Sequence, residues 1–106
     1  MELHTFSSLN PAFLPQYAGT LDLADEAIIY LSEHAREIKR MDRIEEDVVQ
    51  TYFKHPHLRV IRDAETLRDA LLHEAWGNAN LLMMSSGTFD GLDMPNLGQE
   101  IGMLRV

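Results

Sequence analysis

Ala27-Ile-Ile-Tyr-Leu31 is an apolar, β-rich run of strand length with no alternation of polar and apolar positions. A strand with one wet face alternates; one without alternation needs cover on both faces, as in a parallel sheet between helices. Three further stretches read as strands: Leu3 to Phe6, which alternates, Leu58-Arg-Val-Ile61, and Asn80 to Met84. Helical patterns lie between them. Asn10-Pro11 has the form of a cap followed by a proline at the first helical position, with Phe13, Leu14 and Tyr17 as the apolar face and Gly19 keeping the helix short.

Ser32 to Met41 reads as a polar connection. Asp42 and Glu45 then have capping-box spacing, and Ile44, Val48 and Tyr52 recur every four residues with Val49 and Phe53 beside them. His55-Pro56 closes that helix, because proline disfavours α geometry in the residue before it. Asp63 caps the next, whose inner face is Ala64, Leu67, Ala70, Leu71 and Ala75, and Gly77-Asn78 ends it. A last helix, weakened by Gly98 and Gly102, is expected from Asn96 to Leu104. Met83 and Met84 read as core, and Trp76 as a packing residue. The order β-α-β-(loop)-α-β-α-β-α predicts an α/β fold with a mostly parallel sheet covered on both sides.

At 106 residues the chain has room for one domain, residues 1–106, and its 45% hydrophobic content is enough for a core. No apolar run approaches the ~20 residues of a membrane span. The start, Met1-Glu-Leu-His-Thr-Phe, lacks the basic and apolar regions of a secretory signal. Without cysteine there are no disulfides, thiolate metal sites or cysteine nucleophiles. That composition suits the cytoplasm. The net charge is -8, from 17 acidic and nine basic residues. Phosphate neutralisation needs a basic face, and the one basic cluster, Lys39, Arg40 and Arg43, is flanked by Asp42, Glu45, Glu46 and Asp47, so no nucleic-acid partner is expected.

In parallel sheets, ligands collect outside the carboxyl ends of the strands. Two polar clusters are expected there: His4-Thr5-Phe6-Ser7-Ser8 and Ser85-Ser86-Gly87-Thr88-Phe89-Asp90. The second offers hydroxyls, a carboxylate and a glycine that permits close backbone approach, suited to an amine or carboxylate of a small substrate. The same residues also suit a βα turn that satisfies its own backbone. Neither GxxxxGK[ST] nor GxGxxG is present, and Ser85 lacks the GxSxG elbow. The five histidines show no metal-ligand spacing, so no metal site is expected. Arg36, Lys39 and Arg40 form either an anion contact or a solvated connection.

Glu2-Leu-His-Thr-Phe-Ser-Ser-Leu9, Phe13-Leu-Pro-Gln-Tyr17 and Leu81-Leu-Met-Met-Ser-Ser-Gly-Thr-Phe-Asp-Gly-Leu-Asp93 together resemble the C-terminal domain of the Mur ligase family. The nearest branch is the UDP-N-acetylmuramate–tripeptide (murein peptide) ligases. Ala24-Asp25 and the His34 to Lys39 connection add to the likeness. Thr88 and Met94-Pro-Asn96 depart from the family's pattern. The resemblance covers essentially the whole chain and implies a Rossmann-like, three-layer α/β/α fold lacking its opening helix and half of its first strand. It implies a role in peptidoglycan recycling or biosynthesis: ATP-driven amide formation between UDP-N-acetylmuramate and a murein peptide. ATP and Mg2+ would then be held mainly by the missing N-terminal and central domains, with no catalytic residue in this chain. Carried over, Ser85, Ser86, Gly87, Thr88, Phe89 and Asp90 would contact the incoming peptide, Phe89 through its ring and Asp90 by its carboxylate meeting an ammonium group of the peptide. His4, Thr5, Ser7 and Ser8 would face the interdomain cleft. The alternative is a non-catalytic, stand-alone interaction module that pairs as a homo-oligomer through its truncated sheet edge.

Overall fold

In the computed structural model, which describes residues 1–5 and 7–104, the apolar run forms strand β1, Ala27–Tyr30. Strand β2, Leu58–Ile61, lies parallel to it, Ala27 opposite Leu58 and Tyr30 opposite Ile61. Parallel neighbours need a long crossover. It holds two helices, α1, Glu33–Lys39, and α2, Glu46–Phe53. The chain is therefore α/β, with a two-stranded parallel sheet among the described residues.

Residues 1–3 continue the sheet by single hydrogen bonds. The Met1 amino group donates to the Ile28 carbonyl at 2.7 Å. Tyr30 N donates to Met1 O at 2.9 Å, and Leu3 N to Tyr30 O at 3.1 Å. On the far side Glu2 N donates to Met84 O at 2.9 Å. Four segments thus lie side by side in the order β2, β1, residues 1–3, Met84.

Successive side chains of a strand point to opposite faces, and β1 divides the core accordingly. Ala27 and Ile29, with Leu31, join Leu3, Leu14, Val49, Phe53 and Leu58. Tyr30 joins Ile61, Leu67, Leu71, Phe89, Leu97 and Ile101. The 3-10 helix Pro11–Tyr17 and α2 cover the first face. Helices α3, Ala64–Leu72, and α4, Met94–Leu104, supply the second. Each fully buried Ile or Leu contributes roughly 1.5–3 kcal/mol.

The structure corrects several expectations. Ser32 to Met41 is not a connection: Ser32 Oγ accepts from Ala35 N at 2.9 Å and caps α1, which Arg40 closes in the left-handed region. Asp42 and Glu45 form no capping box; Glu45 stands at the cap of α2 and its side chain makes no cap bond. Arg62 donates to the Ile44 carbonyl at 2.5 Å, and Ile44 is buried. That contact holds the chain before α2 out of helical geometry. Helix α3 ends at Leu72, ahead of Gly77, and Ala75 is exposed. Helix α4 starts two residues early, at Met94, where Asp93 Oδ1 accepts from Asn96 N at 3.1 Å.

Two strand expectations fail in instructive ways. Residues 1–3 lie along β1; Phe6 lies outside the described residues, and Ser7 to Leu9 form a turn, Leu9 N donating to Thr5 O. Asn80 to Met84 joins no ladder among the described residues. Leu82 is 73% exposed, and Leu81 and Met84 are exposed too. Met84 is therefore not core, whereas Met83 packs, half-buried, on the second cluster. Among the described residues the segment is hydrogen-bonded only through the Met84 carbonyl, and Leu81, Leu82 and Met84 lack the cover that their composition calls for.

Candidate functional site

The two polar clusters meet through a residue between them in space, Glu2. Its side chain is 1% exposed. Glu2 Oε1 accepts from Ser85 Oγ at 2.5 Å and from Phe89 N at 2.9 Å. The bonds span more than 80 residues of sequence and fasten the 85–90 loop to the end of the N-terminal segment. Buried carboxylates are tolerated when such donors satisfy them. Ser85 Oγ in turn accepts from Gly87 N at 2.7 Å. Gly87 sits so close to His4 that a Cβ there would fall 2.8 Å from the ring's Cγ. Only glycine allows that approach.

A second fastening lies at Asp90. It accepts from the Tyr30 hydroxyl and, at 2.8 Å, from Ser32 Oγ. Burial, and after it the bond to Asp90, pushes the Tyr30 phenol well above its ordinary range, so it remains a donor. Phe89, Asp90 and Gly91 run through the left-handed region with φ of 52°, 55° and 80°. For a phenylalanine this conformation is costly, on the order of 1–2 kcal/mol. The Glu2 and Asp90 bonds hold it in place, and Gly91 N donates to Thr88 O at 3.1 Å.

Ser85, Ser86, Thr88 and Asp90 are exposed along this rim, and Gly87 is half-buried. Phe89 differs from expectation: it is 4% exposed, and its ring stacks edge-on against Tyr30 with centroids 5.7 Å apart. A ligand at the rim meets its backbone, not its ring. In the first cluster, Thr5 and Ser8 bond to each other and to each other's backbone, building the turn. Ser7 is exposed, and His4 is half-exposed beside Gly87. Glu2, Tyr30 and Ser32 are the rim residues that sequence reasoning missed. Glu2 stands two residues before His4 in an alternating segment; no spacing signal links Tyr30 to Asp90, 60 residues away.

Arg36, Arg43 and Arg62 all approach Glu33, at 3.0, 3.5 and 3.6 Å, a partly exposed ion network. His55 is buried; its Nδ1 accepts from His57 N, so Nε2 carries the proton and donates to Ala24 O at 2.7 Å. Among the described residues no group of three or more His, Cys, Asp or Glu could hold a metal ion. Nor does the Gly87 turn leave a phosphate cradle, since the His4 ring fills the space before it. An apolar groove of about 420 Å³ lies between α4 and the open segment, lined by Trp76, Leu81, Met83, Met94, Leu97 and Ile101. No helix among the described residues is long and apolar enough to cross a membrane.

No protein-family model, curated protein or solved structure matches this chain.

Proposed function

We propose that this chain is the substrate-positioning domain of an ATP-dependent, amide-forming ligase of the Mur type, and that the rim built on Glu2 and Asp90 receives the incoming murein peptide. The observation that carries the reading is the meeting of two polar clusters at one edge of a parallel sheet. The order β2, β1, residues 1–3, Met84 supports a Rossmann-like, three-layer reading, because a doubly wound sheet runs 3-2-1-4 across its switch point. In such a sheet the switch point falls between residues 1–3 and Met84, and the rim grows from those two segments. Asp90 supplies a carboxylate positioned by Tyr30 and Ser32 and open on its outer side to an ammonium group. In this reading ATP and Mg2+ belong to the N-terminal and central domains, with UDP-N-acetylmuramate. The domain's contribution is orientation of the attacking amine and exclusion of water, in the cytoplasm.

Titrating the 15N-labelled chain with a murein tripeptide tests this. The amides of Ser32, Gly87, Phe89 and Gly91 are expected to shift, and Asp90→Asn or N-acetylation of the peptide is expected to abolish the response. Shifts that survive both changes, no shift at millimolar peptide, or ATP turnover by the purified chain would each overturn the reading.

A stand-alone interaction module remains the second reading, favoured by the exposed Leu81, Leu82 and Met84. Residues 1–3 lie between β1 and Met84, so the open flank is Asn80–Met83 and not the N-terminal strand. A tight dimer in sedimentation, unaffected by peptide and broken by Leu82→Lys, would favour it.

A further inference from the structure

The two nitrogens of the His4 ring have different surroundings. Nδ1 is buried without a hydrogen-bond partner, and Glu2 Oε2 lies 3.7 Å from it. The other oxygen of that carboxylate, Oε1, is taken up by Ser85 and Phe89. The loop backbone packs over this contact, since a Cβ at Gly87 would fall 2.9 Å from Nδ1 and 3.0 Å from Glu2 Oε1. A neutral imidazole carries one N–H and one lone pair. A lone pair on Nδ1 would face the lone pairs of the carboxylate, whereas an N–H there meets them with opposite polarity. The contact therefore favours the tautomer protonated on Nδ1, and the lone pair falls to Nε2. Among the described residues Nε2 makes no hydrogen bond and is not one of the buried atoms, so it is open to solvent at the rim.

We infer that Glu2 is a positioning residue that fixes the His4 tautomer, and that His4 Nε2 is a further binding atom of the rim, accepting an N–H from the ammonium group of the incoming peptide. The inference rests on the substrate-positioning reading and adds a specificity-determining residue to it. An ammonium group has three donors and no acceptor, so only acceptors serve it. Asp90 offers one as a carboxylate, and His4, packed against Gly87 on the same loop, offers a second as a neutral nitrogen. The net charge of -8 favours a cation at the surface as a whole. With the opposite tautomer Nε2 would present a donor to a donor. Glu2, which does not reach the surface, thus decides from behind whether the ring assists or opposes the ligand.

Ring 15N spectra of the natural chain at about pH 8, where histidine is ordinarily neutral, test the first step without any ligand. The expected spectrum shows Nδ1 protonated and Nε2 bare. On addition of murein tripeptide the Nε2 signal of His4 should move and Nδ1 should stay, and the N-acetylated peptide should leave both in place. Glu2→Gln keeps an oxygen for Ser85 and Phe89 but can turn an amide N–H toward Nδ1. It should raise the share of the opposite tautomer and weaken peptide binding about twofold to tenfold, the scale of one partly exposed hydrogen bond. Should that variant not fold, the spectra of the natural chain decide alone. A ring protonated on Nε2 overturns the inference. So does a silent Nε2 while the Ser32 and Gly91 amides respond to peptide, a result that leaves the substrate-positioning reading standing. No response from either the ring or those amides overturns that reading, and the role of His4 with it.

Discussion

Glu2 joins segments more than 80 residues apart in the sequence. It ties the loop after Met84 to the segment beside β1, and it does so from a buried position. Glu2→Ala leaves the Phe89 N–H and the Ser85 hydroxyl without an acceptor; the expected cost is about 1–3 kcal/mol, read as a lower urea midpoint at unchanged slope. Glu2→Gln retains an acceptor oxygen and should cost less. Gly87→Ala meets the His4 ring, and the overpacking should cost about 1–3 kcal/mol and displace that ring in the NMR spectrum. Tyr30 carries a pH signature. Its phenol is held above its ordinary value near 10, so the unfolded chain releases the proton first and stability falls as pH rises past about 10. Tyr30→Phe should remove that share of the alkaline slope, seen in denaturation midpoints across pH 9 to 11.

Among the elements, the helices show how local chemistry fixes ends. Asp63 accepts from Thr66 N at 2.9 Å and from the Thr66 hydroxyl at 2.8 Å, and these bonds hold its carboxyl below the usual range. The cap's contribution is therefore full above about pH 4 and lost as pH falls through the depressed value. Asp63→Ala should lower stability by about 0.5–2 kcal/mol at neutral pH. The gap to the natural chain should close on acidification below about pH 4, as thermal melts at several pH values would show. Ser32 serves two elements at once: its oxygen accepts from Ala35 N at the start of α1, and its proton goes to Asp90 on the rim. Shortening it removes a cap and one fastening of the loop together.

For the whole molecule, the sheet is the rigid part and the open flank the soft one. Ile29 is fully buried between residues of the first cluster, and Ile29→Ala should cost about 2–5 kcal/mol, enough to unfold a marginally stable domain. Native-state hydrogen exchange should rank the β1 and β2 amides slowest. Asn80–Met83 should be fastest among the apolar segments, because none of its backbone groups is hydrogen-bonded among the described residues. Comparable protection in the two regions would show that the flank is covered in solution. The substrate-positioning reading of the rim uses this division: a stiff sheet carrying loops whose geometry is set by a few long-range bonds.

Much of this was legible from residue patterns. The unalternating run at Ala27, the caps at Asn10 and Asp63, the strand at Leu58 and the α/β class all follow from rules that act over a few residues, and those rules operate the same way inside the fold. The helix at Glu33–Lys39 escaped because its charged, mixed face carries no periodic apolar stripe, and only Ser32 marked it. The flank at Asn80–Met84 misled because apolar composition reports a demand for cover, not its presence. The Glu2, Tyr30 and Ser32 bonds had no signature at all. A hydrogen bond between residues 60 or more positions apart depends on where two chain segments come to rest, and only tertiary packing decides that.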